Sequence, residues 1–316
     1  MILTLMCVQR LQSTQKFFLT QEMMLPLQKI SICKQMITFP NAKINLGLDI
    51  LRRREDGYHD ISTVMLPIGW TDILEIVPAA GWEDSLTVSG RKVDCPPEKN
   101  LVMKAVKALR GLYDFPKVDI FLRKVIPDGA GMGGGSSDAA FTLKTINGLF
   151  NLNLDRRRLA EIASQIGADC PFFIYNKPML CEGTGTTMSA FALSDLSGYD
   201  LAVVKPSASV PTAMAYSRVS PALPERSVAE ILTDSMPEQW QGRLKNDFEP
   251  SVFSALPEVG EIKEKLLEMG AVYCAMSGSG SAVFAFFRHD TMSAERIEPA
   301  FTECDCFFEK GVKKEF

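Results

Sequence analysis

Five of the seven residues from 129 to 135 are glycine, and they lie between a strand-like and a helix-like stretch. A run of this kind destabilises a helix or strand interior, so the chain must change direction here. Before it, Val118, Ile120 and Leu122 alternate with other residues, as on a strand. After Ser136 and Ser137, the residues Ala139, Ala140, Leu143, Ile146, Leu149 and Phe150 recur at helical spacing. Strand, glycine loop and helix together bring bare backbone N–H groups to a helix entry, where an anion is favoured. A flexible linker is the alternative, and the tight flanking elements argue against it. The Walker pattern is absent, because no lysine precedes Ser136. Gly129, Gly131 and Gly134 match a dinucleotide fingerprint with Asp155 downstream. That match lacks its second strand, since residues 151–155 are too short and open a helix. A nucleoside triphosphate is the ligand that suits the loop.

The rest of the chain can support a fold around this loop. It has 316 residues, of which 46% are apolar and 23% charged, the balance of a globular protein and not of a disordered one. That length favours about two domains. The longest strongly apolar stretch, residues 282–287, is far short of the ~20 needed for a membrane-spanning helix. A net charge of −4 gives no basic footprint for nucleic acid, yet a local field could still hold an anionic substrate. Eight cysteines without a Cys-x-x-Cys pair, and only His59 and His289, argue against zinc or haem. They fit a reducing cytoplasm in which cysteine serves as a small hydrophobe.

Residues 1–35 hold four basic residues against Glu22 alone. They are expected to be an atypical extension or a mis-assigned start, with Met36 as the alternative first residue. From Thr38 the pattern is regular. Ile44, Leu46, Leu48 and Ile50 predict a half-buried strand, residues 52–57 a charged turn and residues 61–68 a returning strand. Short strands are expected at 73–77, 86–88 and 201–204, and helices at 100–112, 155–167 and 258–269. Two more strands, 272–276 and 282–287, flank the segment Ser277-Gly-Ser-Gly-Ser281. Strands first, then helices, then mixed segments indicate an α+β protein of two domains, here 36–190 and 191–316.

Outside the glycine loop, several residues have both a structural and a chemical reading. Lys43 and Asn45 share one face of the first strand, which could simply be solvated. Asp169, in Gly167-Ala-Asp-Cys-Pro171, could be a helix N-cap or turn aspartate. Asp56-Gly-Tyr-His59 could be a plain hairpin turn. Residues 277–281 could be a hairpin loop or a second place where backbone meets ligand.

Taken in order, Asn41-Ala-Lys-Ile-Asn45, Asp56-Gly-Tyr-His59, Gly131-Met-Gly-Gly-Gly-Ser-Ser-Asp-Ala-Ala140, Gly167-Ala-Asp-Cys-Pro-Phe-Phe173 and Ser277-Gly-Ser-Gly280 resemble the GHMP kinase superfamily. The first, second and fourth resemble its branch acting on cytidine diphosphate methylerythritol. The resemblance spans about residues 36–310 and implies a ribosomal S5-like N-terminal domain with a ferredoxin-like C-terminal one. It implies Lys43 and Asp169 as the catalytic pair. ATP would be wrapped by Pro127, Asp128, Gly129, Ala130, Gly131, Met132, Gly133, Gly134, Gly135, Ser136 and Ser137. Tyr58 and His59 would recognise the cytidine end, and Asn45 would line the substrate site. Met132 replaces the family's usual leucine, a volume-conserving change. Mg²⁺ is expected with ATP, and no motif defines its ligand, though Ser137 is a candidate. The resemblance implies a kinase of isoprenoid biosynthesis with a small-molecule substrate; a monomer or homodimer is expected, with neither nucleic acid nor membrane as partner. Two other readings are a nucleotide-dependent oxidoreductase and a silent nucleotide-binding regulator. The missing second strand argues against the first, and the presence of both Lys43 and Asp169 against the second.

Overall fold

In a computed structural model, residues 35–93 and 95–313 are described. The expectation for residues 1–35 therefore lies, except for Gln35, outside the described residues. In chain order the strands are β1 (Met36–Thr38), β2 (Asn41–Arg53), β3 (His59–Thr71), β4 (Ile73–Pro78), β5 (Ser85–Gly90), β6 (Val118–Lys124), β7 (Met179–Gly183), β8 (Thr187–Ala190), β9 (Tyr199–Pro206), β10 (Tyr273–Met276), β11 (Val283–Arg288) and β12 (Cys304–Glu309). The helices are α1 (Leu101–Arg110), α2 (Gly134–Leu149), α3 (Arg156–Ser164), α4 (Cys170–Tyr175), α5 (Thr212–Ser217), α6 (Val228–Asp234), α7 (Glu249–Ala255), α8 (Pro257–Glu268) and α9 (Ala294–Ala300).

The strands form three four-stranded sheets, in the orders β1-β4-β6-β5, β2-β3-β7-β8 and β10-β11-β9-β12. In the first sheet β5 runs parallel to β6, and β1, β4 and β6 pair antiparallel. The apolar stripes of α1, α2 and α3 cover one face of it. Val102, Val106 and Leu109 from α1, Leu143 and Ile146 from α2, and Leu159 and Ile162 from α3 share a core with Leu74, Ile76, Ile120 and Leu122. Asn100 caps α1 by accepting a bond from the Val102 N–H, and Asp155 caps α3 by accepting one from Arg158.

The third sheet has the strand order of a split βαβ unit. Counting β9, β10, β11 and β12 as one to four, the order is two-three-one-four, all antiparallel. Both of its faces are buried, which accounts for the continuous apolar run in β11. Ala202, Val204, Cys274, Val283, Ala285 and Phe287 meet Val252, Val259, Ile262 and Leu266 of α7 and α8. The alternate residues Leu201, Val203, Tyr273, Phe284 and Phe286 instead meet Ile44, Leu46, Val64, Leu66 and Trp70 of β2 and β3. Each fully buried phenylalanine contributes about 1.5–3 kcal/mol by leaving water.

Two sequence expectations are corrected. The alternation in β2 does not mark a half-buried strand, because Asn41 to Ile50 are all buried. Its polar face, with Lys43, Asn45 and Asp49, is covered by other parts of the chain. The glycine loop is also shorter than expected, since α2 starts at Gly134, with Gly133 as its N-cap at φ +70°. Gly134, Gly135, Ser136 and Ser137 are thus helical, and they form an N-terminal turn with almost no side-chain bulk.

Candidate active site

β2 carries Lys43 and Asn45 into the interior side by side, as period two requires. The Lys43 Nζ donates to Asn45 Oδ1 at 2.5 Å and to the Gly131 carbonyl at 2.8 Å. It lies 3.8 Å from Asp169 Oδ2. Burial holds the Lys43 ammonium below its ordinary pKa, while Asp169 acts in the opposite direction. Asp169 occupies the N-cap position of α4 without making the side-chain cap bond. Its carboxylate is 32% exposed and opens on the cavity, whereas the lysine side chain is 4% exposed.

A chain of hydrogen bonds fixes this pair. Asn45 Nδ2 donates to Thr63 Oγ1 at 3.1 Å, and Thr63 donates to the Gly47 carbonyl. Ser277 Oγ donates to the Gly131 carbonyl at 3.1 Å and accepts from the Asn45 N–H at 3.3 Å. Residues 130–132 are wedged between β2 and the segment before β11. The Lys43 N–H donates to Met132 O, and the Ala282 N–H donates to Ala130 O. The Ala130 and Met132 side chains point into the core, so the loop presents backbone. A Cβ at Gly131, where φ is +71°, would stand 2.1 Å from the Ser277 carbonyl oxygen. One at Gly133 would meet the Phe173 ring at 2.9 Å. Residues 277–281 are therefore both a hairpin loop, joining β10 to β11, and a partner of the glycine loop.

Two clefts adjoin this framework. A cavity of about 490 Å³ is lined by Lys43, Asn45, Asp169, Gly129, Gly131 and Gly133, and by Thr212, Tyr216 and Gly278 from the later chain. A smaller cleft of about 270 Å³ is lined by Lys124, Leu101 and residues 127–136. Ser137 lines neither. It is fully buried, and its Oγ has no hydrogen-bond partner among the described residues. The smaller cleft is walled by glycine backbone at the N-terminus of α2, where main-chain N–H groups and the helix dipole suit a polyphosphate. Among the described residues, the three-member group able to hold a metal is Asp200, His289 and Asp290. It does not line the cavity, and Asp200 already accepts bonds from Asp290 and Gly311 N–H groups.

Tyr58 and His59 have different surroundings, and neither lines the cavity. Tyr58 stands on the turn, 67% exposed, and is not part of the cavity lining. His59 stacks on Tyr216, with ring centroids 4.9 Å apart and planes at 22°. Tyr216 lines the cavity and meets Phe248 edge-on. Thr63, Thr212 and Tyr216 are absent from the sequence expectations. A lone threonine inside a strand and a tyrosine in a short helix carry no distinguishing pattern, and only their placement beside Asn45 and His59 marks them.

The chain is similar to proteins of one kinase family. The family described as GHMP kinases N terminal domain matches residues 100–177, and GHMP kinases C terminal matches residues 221–304. The 4-diphosphocytidyl-2-C-methyl-D-erythritol kinase of Parabacteroides distasonis is 50% identical over 276 residues, covering 87% of this chain and 99% of the relative. The enzyme of the same name from Porphyromonas gingivalis is 46% identical over 269 residues, covering 85% of this chain and 97% of that one. A crystal structure of 4-(cytidine 5'-diphospho)-2C-methyl-D-erythritol kinase superposes with a TM-score of 0.71 at 31% identity, covering 87% of this chain and 98% of its own. A homoserine kinase from Cytophaga hutchinsonii shares the fold, with a TM-score of 0.69 at 19% identity over 92% of this chain and 98% of its own.

Proposed function

The chain belongs to the 4-diphosphocytidyl-2-C-methyl-D-erythritol kinases of the GHMP superfamily, and from that premise we infer that it transfers the γ-phosphoryl group of ATP to the 2-hydroxyl of 4-diphosphocytidyl-2-C-methyl-D-erythritol. The observation that carries the reading is the Lys43–Asp169 pair in a cavity walled by the glycine loop. A tertiary alcohol is a weak nucleophile. Asp169, partly open to the cavity, accepts its proton as the new O–P bond forms. Lys43, 3.8 Å from that carboxylate, offsets negative charge gathering at the attacking oxygen. Asn45 holds the ammonium in place and faces the substrate. Positioning and charge compensation supply most of the catalysis in phosphoryl transfer.

Residues 127–136 and the N-terminal turn of α2 are the proposed holders of the ATP phosphates. Mg²⁺ accompanies ATP and would neutralise phosphate charge when bound. The phosphate oxygens of the nucleotide and water are donors of the kind it takes. We assign the cytidine end to the cavity edge formed by His59 and Tyr216, with Tyr58 on the adjoining turn able to fold over the base. The neutral imidazole can donate from one ring nitrogen and accept at the other, as cytosine's edge requires. No helix among the described residues is long and apolar enough to cross a membrane. Buried free thiols at Cys170, Cys181 and Cys274 support a reducing, cytoplasmic setting. The deciding experiment is a coupled assay of ADP release with and without the cytidylyl substrate. Release that requires that substrate, and not methylerythritol alone, is expected. ADP release unaffected by it would overturn the reading.

A further inference from the structure

Three buried charges lie beneath the small cleft and play no part in the mechanism above. Lys124, the last residue of β6, donates from Nζ to Asp138 Oδ2 at 2.7 Å and to Asp72 Oδ2. Their side chains are 5%, 3% and 0% exposed respectively. Asp72 joins β3 to β4, and its second oxygen accepts the Val125 and Ile126 N–H groups at 2.5 and 2.9 Å. Those two residues lead directly into Pro127. Asp138 lies in α2, just past the helix's glycine and serine turn. The network therefore grips the chain immediately before the glycine loop and immediately after it.

Charge alone does not account for this network. Two carboxylates around one ammonium bring no net positive charge to a cleft read as the seat of a polyanion, so the network does not act as an attracting field. Burial, opposed by Lys124 and reinforced by Asp72, pushes the Asp138 carboxyl up to about 7. A buried ion cluster of this kind adds little net stability over apolar packing, and geometry is its best-attested use. We propose that Asp72 and Asp138, acting through Lys124, are positioning residues that set the span of the nucleotide loop. The proposal rests on the reading that residues 127–136 hold ATP. Lys124 lines the cleft itself, so the carboxylates and not the lysine provide the clean test.

Lys43 and Asp169 hang from β2 and the start of α4, and residues 130–132, which meet Lys43, are held apart from the clamp by β2, Ser277 and Ala282. Loosening the loop should therefore cost nucleotide affinity and spare the chemical step. Asp138→Ala is expected to raise the KM for ATP about tenfold, while kcat and the KM for the cytidylyl substrate stay within about twofold. Asp138→Asn keeps an oxygen for Lys124 and is expected to restore the KM for ATP to within about threefold of wild type. A merely structural role would lower Tm and the active fraction with the KM for ATP unchanged. That result overturns the proposal, as does equal impairment of the Ala and Asn variants. If Asp138→Ala does not fold, Asp138→Ser, too short to reach the lysine, takes its place. Gly135→Glu, which sets a carboxylate in the cleft, separates the two readings. If it leaves the KM for ATP unchanged, the loop is not the nucleotide site. If it raises that KM while Asp138→Ala does not, only the clamp fails.

Discussion

Lys43 and Asp169 differ in burial because they do different work. Asp169 is open enough to meet a hydroxyl, and its carboxylate makes no cap bond that a substitution would break. Asp169→Asn should keep the wild-type Tm and ATP affinity while kcat falls about 10²–10⁴-fold, the usual loss for a general base. Lys43→Met should lose a comparable factor. It also leaves Asn45 Oδ1 without a donor, at about 1–3 kcal/mol for a buried group, while the Gly131 carbonyl keeps Ser277 Oγ, so its Tm should fall as well. The double variant should be far from additive, because the two act as a unit. Thermal shift and steady-state kinetics on all three check this, and near-wild-type turnover in either single variant would remove the assignment. A second residue-scale prediction concerns pH. Burial, then Asp247, raises the Asp49 carboxyl from 3.8 to about 6. The folded state thus binds this proton more readily than the unfolded chain. The stabilisation is complete below the unfolded value and is lost as pH rises through about 6. Asp49→Asn removes this titration. Urea unfolding at pH 5 and pH 7 should show wild type losing up to about 1 kcal/mol more than the variant over that interval, after allowance for solvent screening. At this scale the sequence discloses Lys43, Asn45 and Asp169 through motif and spacing. It does not disclose Thr63, Tyr216 or the clamp carboxylates, whose meaning comes from contacts between residues far apart in the chain.

Elements lock the site through main chain as much as through side chains. The segment 130–132 bonds β2 on one side and Ala282 on the other, so the glycine loop and the β10–β11 loop can close only if both lack bulk. Gly131→Ala would force a methyl to 2.1 Å from the Ser277 carbonyl, in a backbone region that L residues rarely adopt. The expected result is loss of most activity together with a lowered Tm. Gly135→Ala has no positive φ, and its nearest atom, at 3.9 Å, is in ordinary contact. It should keep its stability, and its activity to within about threefold, because alanine favours a helix over glycine by about 1 kcal/mol. Finding both variants equally active would show that the loops do not interlock. Strand and helix periodicity anticipated β2, β3, β6, α1 and α3 closely. It places the start of α2 too late, because glycine and serine carry no helical signal. It also took the polar face of β2 for a solvent face. Alternation reports the chemistry of two faces, and what covers each face is a tertiary fact.

On the scale of the whole molecule, the cut between residues 190 and 191 looks natural in the sequence, and β8 and β9 do belong to different sheets. The core crosses that cut. Ile44, Leu46, Val64, Leu66 and Trp70 from the first part share one apolar cluster with Leu201, Val203, Trp240, Tyr273, Phe284 and Phe286 from the second. Trp240 is fully buried, with its ring edge-on to Tyr273 and Phe286. At Gly47, where φ is +68°, β2 bulges out of register with β3 between Leu46 and Asp49, and Leu48 exchanges backbone bonds with Lys245 and Asp247. Neither part can therefore expose its face of this cluster without losing tens of kcal/mol of apolar burial, by an order-of-magnitude area argument. Two domains with a small polar interface would unfold independently. Two halves sharing a core should unfold together. Calorimetry on the full chain is expected to give one transition whose calorimetric and van't Hoff enthalpies agree. Residues 191–316 expressed alone should be insoluble or lack a cooperative transition, and co-expression with residues 36–190 should recover some soluble complex. Trp240→Ala should lower the midpoint of the whole transition without splitting it, at about 3–5 kcal/mol for a large aromatic removed from a core. Two resolved transitions in the wild type, or a stable isolated C-terminal fragment, would show that the halves are autonomous. The site would then depend on docking between them and not on a common core.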